Sequence, residues 1–290
     1  MSARTKEQPL VKRDGYPAGV PCWVDSGRGD PAPAVAFYSG LFGWEFENRM
    51  PAGAPLSYNV ATVDGLDVAA VGHEPDASGE PIWNTYIWVE SAEVIAARVQ
   101  AAGGTVAVPP FQVGEAGVMA VFLDPAGAMF SVWEPGSHRG AQLVNTAGSW
   151  NWSELHTRDP AGAREFYGTV FGWELSSFDE GYAMWRMPGY GDFLAERDPD
   201  IRERQAADGA PEGFEDSIAW LVPITDESPS RWSVTFAVDD CDAVAARAAE
   251  LGGSVLVAPY DVGPTRNAVL ADPDGTVFSV CRYTPESEAA

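Results

Sequence analysis

Two stretches of the chain spell the same helix. One reads DPAPAVAFYSGLFGWEF from position 30 and the other DPAGAREFYGTVFGWEL from position 159. In the second copy Asp159 can cap the first free N–H groups, and Pro160 stands where a missing N–H costs nothing. Ala163, Phe166, Tyr167, Val170 and Phe171 then recur at helical spacing as one apolar stripe. Gly172 supplies the left-handed residue that ends the helix. Ala34, Phe37, Tyr38, Leu41, Phe42 and Gly43 repeat the plan. The copies lie 129 positions apart, from Tyr38 to Tyr167, which is about one domain length. A chain duplicated in this way has to build two similar halves, and a 46% hydrophobic content over 290 residues is enough for two cores.

The segments around these helices read as strands. In the first half they fall at 19–26, 44–48, 56–63 and 66–71, the last two flanking Asp64-Gly65, a hairpin signal. After a Pro, Gly and acidic loop at 73–81 the pattern restarts. A strand at 83–89 leads to Ser91, which can cap a helix over 92–102 that ends at Gly103-Gly104. Strands at 105–108, 118–123 and 128–133 follow, the last two joined by the turn Asp124-Pro125-Ala126-Gly127. The second half repeats this with strands at 150–156, 182–187, 232–238, 268–270 and 276–283, a helix over 241–251 and the turn Asp272-Pro273-Asp274-Gly275. The predicted fold is α+β: four βαβββ units in two tandem domains with curved, barrel-like mixed sheets. Residues 1–15 are expected as a flexible tail, 16–136 as the first domain, 137–148 as a linker, 149–284 as the second domain and 285–290 as a tail. Gly104 and Gly253 are 149 positions apart, so the second half carries an insertion. It is expected near 196–215, with a short helix at 198–206, as a surface loop or a lid over a pocket.

Charge and cysteine content narrow the function. A formal charge of -24 repels phosphate backbones and anionic membranes, so neither nucleic acid nor a membrane is expected as a partner, and a cationic ligand would be attracted. Cys22, Cys241 and Cys281 have no metal or redox spacing and are expected as reduced core residues of a cytoplasmic protein. The first fifteen residues hold no apolar run, which predicts neither a signal peptide nor a membrane span. There is no G-x-S-x-G elbow, no phosphate-binding loop and no dinucleotide fingerprint after a strand.

The D-P-x-x-A-x-x-F-Y-x-x-x-F-G-W helix, the G-G after each second helix and the D-P-x-G turn before each last strand together resemble the vicinal oxygen chelate superfamily. That superfamily includes glyoxalase I, bleomycin-resistance proteins and extradiol dioxygenases. The resemblance spans about 20–283 and implies the fold, which carries metal enzymes and metal-free binders alike. In metal-dependent relatives a divalent ion sits in the curved sheet. Counting from the shared motifs, its ligand positions fall at Trp23, Trp152, Asn84, Ser233, Ser131 and Ser279, none of them a strong ligand. A two-residue slip along the first strands presents Asp25, or Glu154 with His156. His73 and His138 lie in loops without partners at metal spacing. No metal and no cofactor is expected.

Aromatic residues stand where ligands would. A single Trp usually belongs to a core, but a set on strands lining a cleft suits stacking on a flat ligand. The expected ligand-binding residues are Trp23, Asp25, Tyr58, Asn84, Tyr86, Trp88, Ser131, Trp133, Trp152, Glu154, Trp185, Ser233 and Ser279. The reading is a metal-free binder of a planar aromatic, neutral or cationic, natural product or antibiotic. It would serve sequestration, self-resistance or a biosynthetic pathway, as a monomer with pseudo-dimeric domains or as a homodimer. The alternative is a lyase, isomerase or dioxygenase of the glyoxalase type, with a metal or with Glu154 and His156 as an acid/base pair. A third reading is an interaction protein with no small ligand.

Overall fold

The computed structural model describes residues 12–75, 81–177 and 183–284. Residues 1–11 of the expected 1–15 tail, the tail at 285–290, part of the acidic loop and the start of the 182–187 strand lie outside the described residues. The first unit comprises β1 (Pro21–Arg28), α1 (Ala32–Phe42), β2 (Glu45–Asn48), β3 (Tyr58–Val63) and β4 (Leu66–His73). The second comprises β5 (Asn84–Trp88), α2 (Ala92–Ala101), β6 (Thr105–Val113), β7 (Gly117–Leu123) and β8 (Met129–Pro135). The third unit runs β9 (Trp150–Thr157), α3 (Pro160–Phe171), β10 (Glu174–Ser177), β11 (Ala183–Arg186), α4 (Tyr190–Ala195), α5 (Ile201–Ala207) and β12 (Ser217–Pro223). The fourth runs β13 (Arg231–Ala237), α6 (Cys241–Glu250), β14 (Ser254–Val262), β15 (Thr265–Ala271) and β16 (Val277–Tyr283).

Each half forms one eight-stranded sheet, ordered β2-β3-β4-β1-β5-β8-β7-β6 and β10-β11-β12-β9-β13-β16-β15-β14. The opening strands of the paired units run antiparallel at the centre, and each is parallel to the last strand of its own unit. The sheets are curved and open, not closed barrels. Local chemistry sets the elements as the sequence predicts. Asp159 Oδ1 accepts the Gly162 N–H at 2.9 Å and Asp30 Oδ1 that of Ala32 at 3.0 Å. Gly172 and Gly43 end their helices at φ 77° and 72°, and Asp64 and Gly65 turn the β3–β4 hairpin at φ 51° and 73°, a left-handed pair that Gly tolerates best.

The duplicated helices pack crosswise. Tyr38 on α1 meets Phe278 of β16 at 5.5 Å between centroids, and Phe42 meets Phe236 of β13 at 5.3 Å. Phe166, Tyr167 and Phe171 on α3 surround Phe130 of β8. Each helix thus closes the core against a sheet of the other half. The junction is polar at matching points. Trp83 Nε1 donates to the Tyr38 hydroxyl at 3.0 Å, which donates to Asp272 Oδ2 at 3.1 Å. Trp232 Nε1 donates to the Tyr167 hydroxyl at 2.9 Å, which donates to Asp124 Oδ2 at 3.2 Å. The buried Asp272 also pairs with the buried Arg28 at 2.7 Å. Among the described residues Asp124 has no such cation.

Residues 187–216 connect β11 to β12 where the first half needs only Asp64-Gly65. This insertion is longer than the expected 196–215 and adds α4, because Gly189 and Gly191 around Tyr190 disguise a short helix. It folds onto the N-terminal segment. Arg13 Nη1 donates to the Tyr190 hydroxyl at 2.6 Å, the Arg13 N–H bonds the Gln142 carbonyl at 2.8 Å, and Arg197 pairs with Asp14 at 2.6 Å. Residues 13 and 14, expected in a flexible tail, are therefore tied down by charge and hydrogen bonding. Cys22, Cys241 and Cys281 are free and buried. Among the described residues no helix is long and apolar enough to cross a membrane.

Candidate functional site

Strand alternation and register bring most of the predicted residues together on the concave faces. In the first half Trp23 pairs with Tyr86 and Asp25 with Asn84, while Tyr86 lies beside Ser131 and Trp88 beside Trp133. Tyr58 reaches the same group from β3. Its hydroxyl and that of Tyr86 donate to Asp25 Oδ2, each at 2.9 Å, and Asn84 Nδ2 donates to Oδ1 at 3.0 Å. Trp23 Nε1 donates to the Tyr58 hydroxyl at 2.9 Å. Burial pushes the Asp25 carboxyl above the usual carboxylate range, opposed by these three donors, and no cation pairs with it among the described residues.

This first cleft is filled by its own side chains. Trp23, Tyr86, Trp88 and Trp133 are buried. The chain leaving β8 folds back and sets the His138 ring edge-on to Trp23 at 4.5 Å and to Trp133 at 5.6 Å, with Trp133 Nε1 donating to the His138 carbonyl at 3.0 Å. Burial, helped by Arg49, lowers the His138 pKa from 6.5 to about 4, so the ring is neutral. Trp88 sits under the Arg139 guanidinium at 5.0 Å and beside Tyr16 at 6.1 Å. His138 is a residue that its loop position gave no reason to select.

The second concave face is more open. Trp152, Glu154 and His156 alternate on β9, with Ser233 opposite Glu154, Thr235 opposite Trp152 and Ser279 beside Thr235. Glu154 Oε1 accepts from Thr235 Oγ1 at 2.9 Å. His156 Nε2 lies 3.0 Å from Ser233 Oγ and 3.3 Å from Glu154 Oε2. The Glu154 and His156 side chains remain 22% and 17% exposed. Trp152 packs edge-on to Trp220 at 5.9 Å and to Phe214 at 6.2 Å. Trp185 does not join them. It is fully buried against Tyr167 and Trp173 on the opposite, helix-facing side. On β11 its neighbours Met184 and Arg186 take the other face, so Trp185 is a core residue and leaves the ligand-binding set.

Beyond Trp152 a cavity of about 540 Å³ opens between β9, the N-terminal segment, the linker and the insertion. Trp150, Trp152, Tyr16, Tyr190, Phe193 and Phe214 wall it, and Arg13, Arg197 and Arg204 border it. Three of its lining residues carry a polar atom that is buried without a hydrogen-bond partner: Trp150 Nε1, Ser217 Oγ and Gln205 Oε1. The size falls within the range of small-molecule sites, as does the mix of aromatic wall and sparse polar groups. Of its aromatic wall only Trp150 and Trp152 stood out in the sequence. The others come from the N-terminal segment and the insertion, Tyr190 and Phe193 on α4, whose convergence no local pattern signals.

The residues present do not fit a divalent ion. Among the described residues no group of three or more His, Cys, Asp and Glu side chains comes together. In the first cleft both Asp25 oxygens are engaged by neutral donors. In the second, the hydrogen bonds of the Glu154 and His156 side chains run to each other and to the hydroxyls of Thr235 and Ser233, whereas catalytic metal sites take three strong protein ligands.

Sheet topology and these clefts define a protein of two tandem glyoxalase-like domains. Residues 23–132 match the Glyoxalase/Bleomycin resistance protein/Dioxygenase superfamily and residues 152–281 the Glyoxalase-like domain. The chain is 37% identical over 281 residues to the protein named "Putative glyoxylase CFP32" of Mycobacterium bovis, covering 96% of this chain and 100% of that one. It is 37% identical over 279 residues to the anthracycline biosynthesis protein DnrV of Streptomyces peucetius, covering 91% and 94%. The chain belongs to the glyoxalase/bleomycin resistance protein/dioxygenase superfamily. Its fold is similar to that of the Mn(II)-bound glyoxalase from Novosphingobium aromaticivorans, with a TM-score of 0.59 at 16% identity, covering 93% of this chain and 85% of that chain.

Proposed function

We propose that the protein binds a planar aromatic natural product without a metal, in the second domain, between the Trp152 face and the adjoining cavity. The observation that carries this reading is the absence, among the described residues, of a cluster of metal-ligating side chains, together with an aromatic wall around a half-open cavity of about 540 Å³. Flat rings gain from stacking on Trp and Tyr and from leaving water. The name of DnrV ties one relative to anthracycline biosynthesis, and anthracyclines are planar aromatic compounds, which supports this ligand class. The role would be sequestration, self-resistance or assistance to a biosynthetic step. Titration of the protein with an anthracycline, followed by tryptophan fluorescence with and without chelator, tests it. Quenching at micromolar or lower concentration, unchanged by chelator, is expected. Absence of any response across a panel of such compounds would sink the reading.

One arrangement favours a second reading. His156 Nε2 sits within 3.3 Å of Glu154 and 3.0 Å of Ser233 on a half-open face, a proton-transfer pair for a lyase or isomerase reaction. Turnover of a bound ligand that is lost in both Glu154→Gln and His156→Gln would favour this reading over simple binding.

A further inference from the structure

We infer that residues 187–216 form a lid that opens as one body over the cavity, and that Arg13 and Asp14 of the N-terminal segment are its latch. The inference goes beyond the binding reading, because it concerns how the cavity is reached, whatever enters it.

The insertion is bonded chiefly to itself. Its two ends meet where the Met187 N–H donates to the Asp216 carbonyl at 2.9 Å, and Asp216 Oδ1 accepts the Gly191 N–H at 2.7 Å. Arg202 pairs with Asp192 at 2.7 Å and with Glu215 at 3.0 Å, so α5 is held both to α4 and to the turn before β12. Arg204 pairs with Asp198 inside the same segment. Among the described residues only two hydrogen bonds leave it. Arg13 Nη1 donates to the Tyr190 hydroxyl at 2.6 Å, and Arg197 Nη2 donates to Asp14 Oδ1 at 2.6 Å. A segment tied in this way opens as a unit, at the cost of its few outward contacts. Gly189 and Gly213, at φ 86° and 78°, stand just inside its two ends, where the chain turns with no side chain to resist it.

The latch, in contrast, is fixed to the body of the protein. The Arg13 N–H donates to the Gln142 carbonyl at 2.8 Å, and Arg139 Nε donates to the Asp14 carbonyl at 3.1 Å. The Arg13 guanidinium lies over the Tyr16 ring at 5.2 Å and the Tyr190 ring at 5.9 Å, and that of Arg197 lies over Phe193 at 4.8 Å. Arg13, Tyr16, Tyr190, Phe193 and Arg197 all line the cavity, so parting the latch from the lid widens it. The Asp14 and Arg197 side chains are 77% and 32% exposed, which leaves that pair open to screening by salt.

Hydrogen exchange of the full chain, read by mass spectrometry over peptides from 187–216, tests the lid without any ligand. Exchange there is expected to rise about tenfold in Tyr190→Phe, which keeps the ring and removes a charge-assisted hydrogen bond, and about threefold in Asp14→Asn. The rest of the second domain should exchange as before. In about 1 M sodium chloride the wild type should reach the rate of Asp14→Asn, and that variant should not respond. Asp14 is exposed, so its variant keeps the test valid if Tyr190→Phe disturbs packing. Stopped-flow mixing with a dihydroxyanthraquinone adds a second arm, in which both variants take up and release the compound faster than the wild type. Unchanged exchange over 187–216 in both folded variants, a rise spread equally over the second domain, or uptake at the wild-type rate would overturn the inference. Failure of the ring compound to bind would count against the functional reading alone, and the exchange result would still decide the lid.

Discussion

His138 gives the sharpest test of how the first cleft is held shut. Its ring is wedged between Trp23 and Trp133, and burial lowers its pKa from 6.5 to about 4. In the unfolded chain the same imidazole takes up a proton near the ordinary value. Between those two pH values the unfolded state binds more protons than the folded one, so stability rises with pH there. The contribution is fully present above pH 6.5 and is lost as pH falls through about 4. At about 1.4 kcal/mol per pH unit the loss reaches about 3 kcal/mol. Urea unfolding at stepped pH, comparing the wild type with His138→Gln, isolates this term, because His73 and His156 are common to both. The wild type should lose about 3 kcal/mol more than the variant on acidification, and Trp23 and Trp133 should become quenchable by acrylamide near pH 4. Identical acid sensitivity in the two proteins, or an NMR titration of the His138 ring with a midpoint near 6.5, would refute the reasoning.

Asp25 carries the opposite sign. Burial raises its pKa, so its contribution is fully present below the unfolded value of 3.8 and is lost as pH rises through the folded value; Asp25→Asn should flatten that fall in chemical denaturation. Tyr167→Phe removes two buried hydrogen bonds and leaves Asp124 Oδ2 without a donor, for an expected loss of about 2–3 kcal/mol in urea melts. Tyr38→Phe should cost about 1 kcal/mol less, because Arg28 still holds Asp272; equal losses would argue against the ion pair's compensating role. Replacing residues 187–216 with Asn-Gly, on the pattern of the β3–β4 hairpin, should leave a folded protein with red-shifted tryptophan emission and at least about tenfold weaker ligand binding. Metal analysis of purified protein should find zinc, nickel, manganese and iron well below stoichiometric amounts; one ion per domain would count against the site as described.

The sequence disclosed the units and most of the two concave faces because those depend on short-range rules. A capped helix, a Gly-Gly stop and a D-P turn recur at fixed separations, and alternation then assigns faces. Asp25 was visible for the same reason, two residues along from Trp23. Trp185 was misassigned because β11 is short and the motif ruler loses its register there. The cavity was not legible, since its walls come from residues near 13–20, 143–152 and 190–218, and their meeting depends on how two halves and an insertion dock. His138 belongs to the same class. Its place follows from the backbone turning after β8, which no periodicity announces.

The crosswise packing of α1 and α3 makes the pair, and not the half, the unit that can be inherited. Either half alone would lay bare Phe130 or Phe278 and strand a buried aspartate without its tyrosine. The halves as separate chains would have to meet before either core closed. In the joined chain one half keeps its cleft plugged with its own aromatic rings while the other carries the insertion that shapes the cavity.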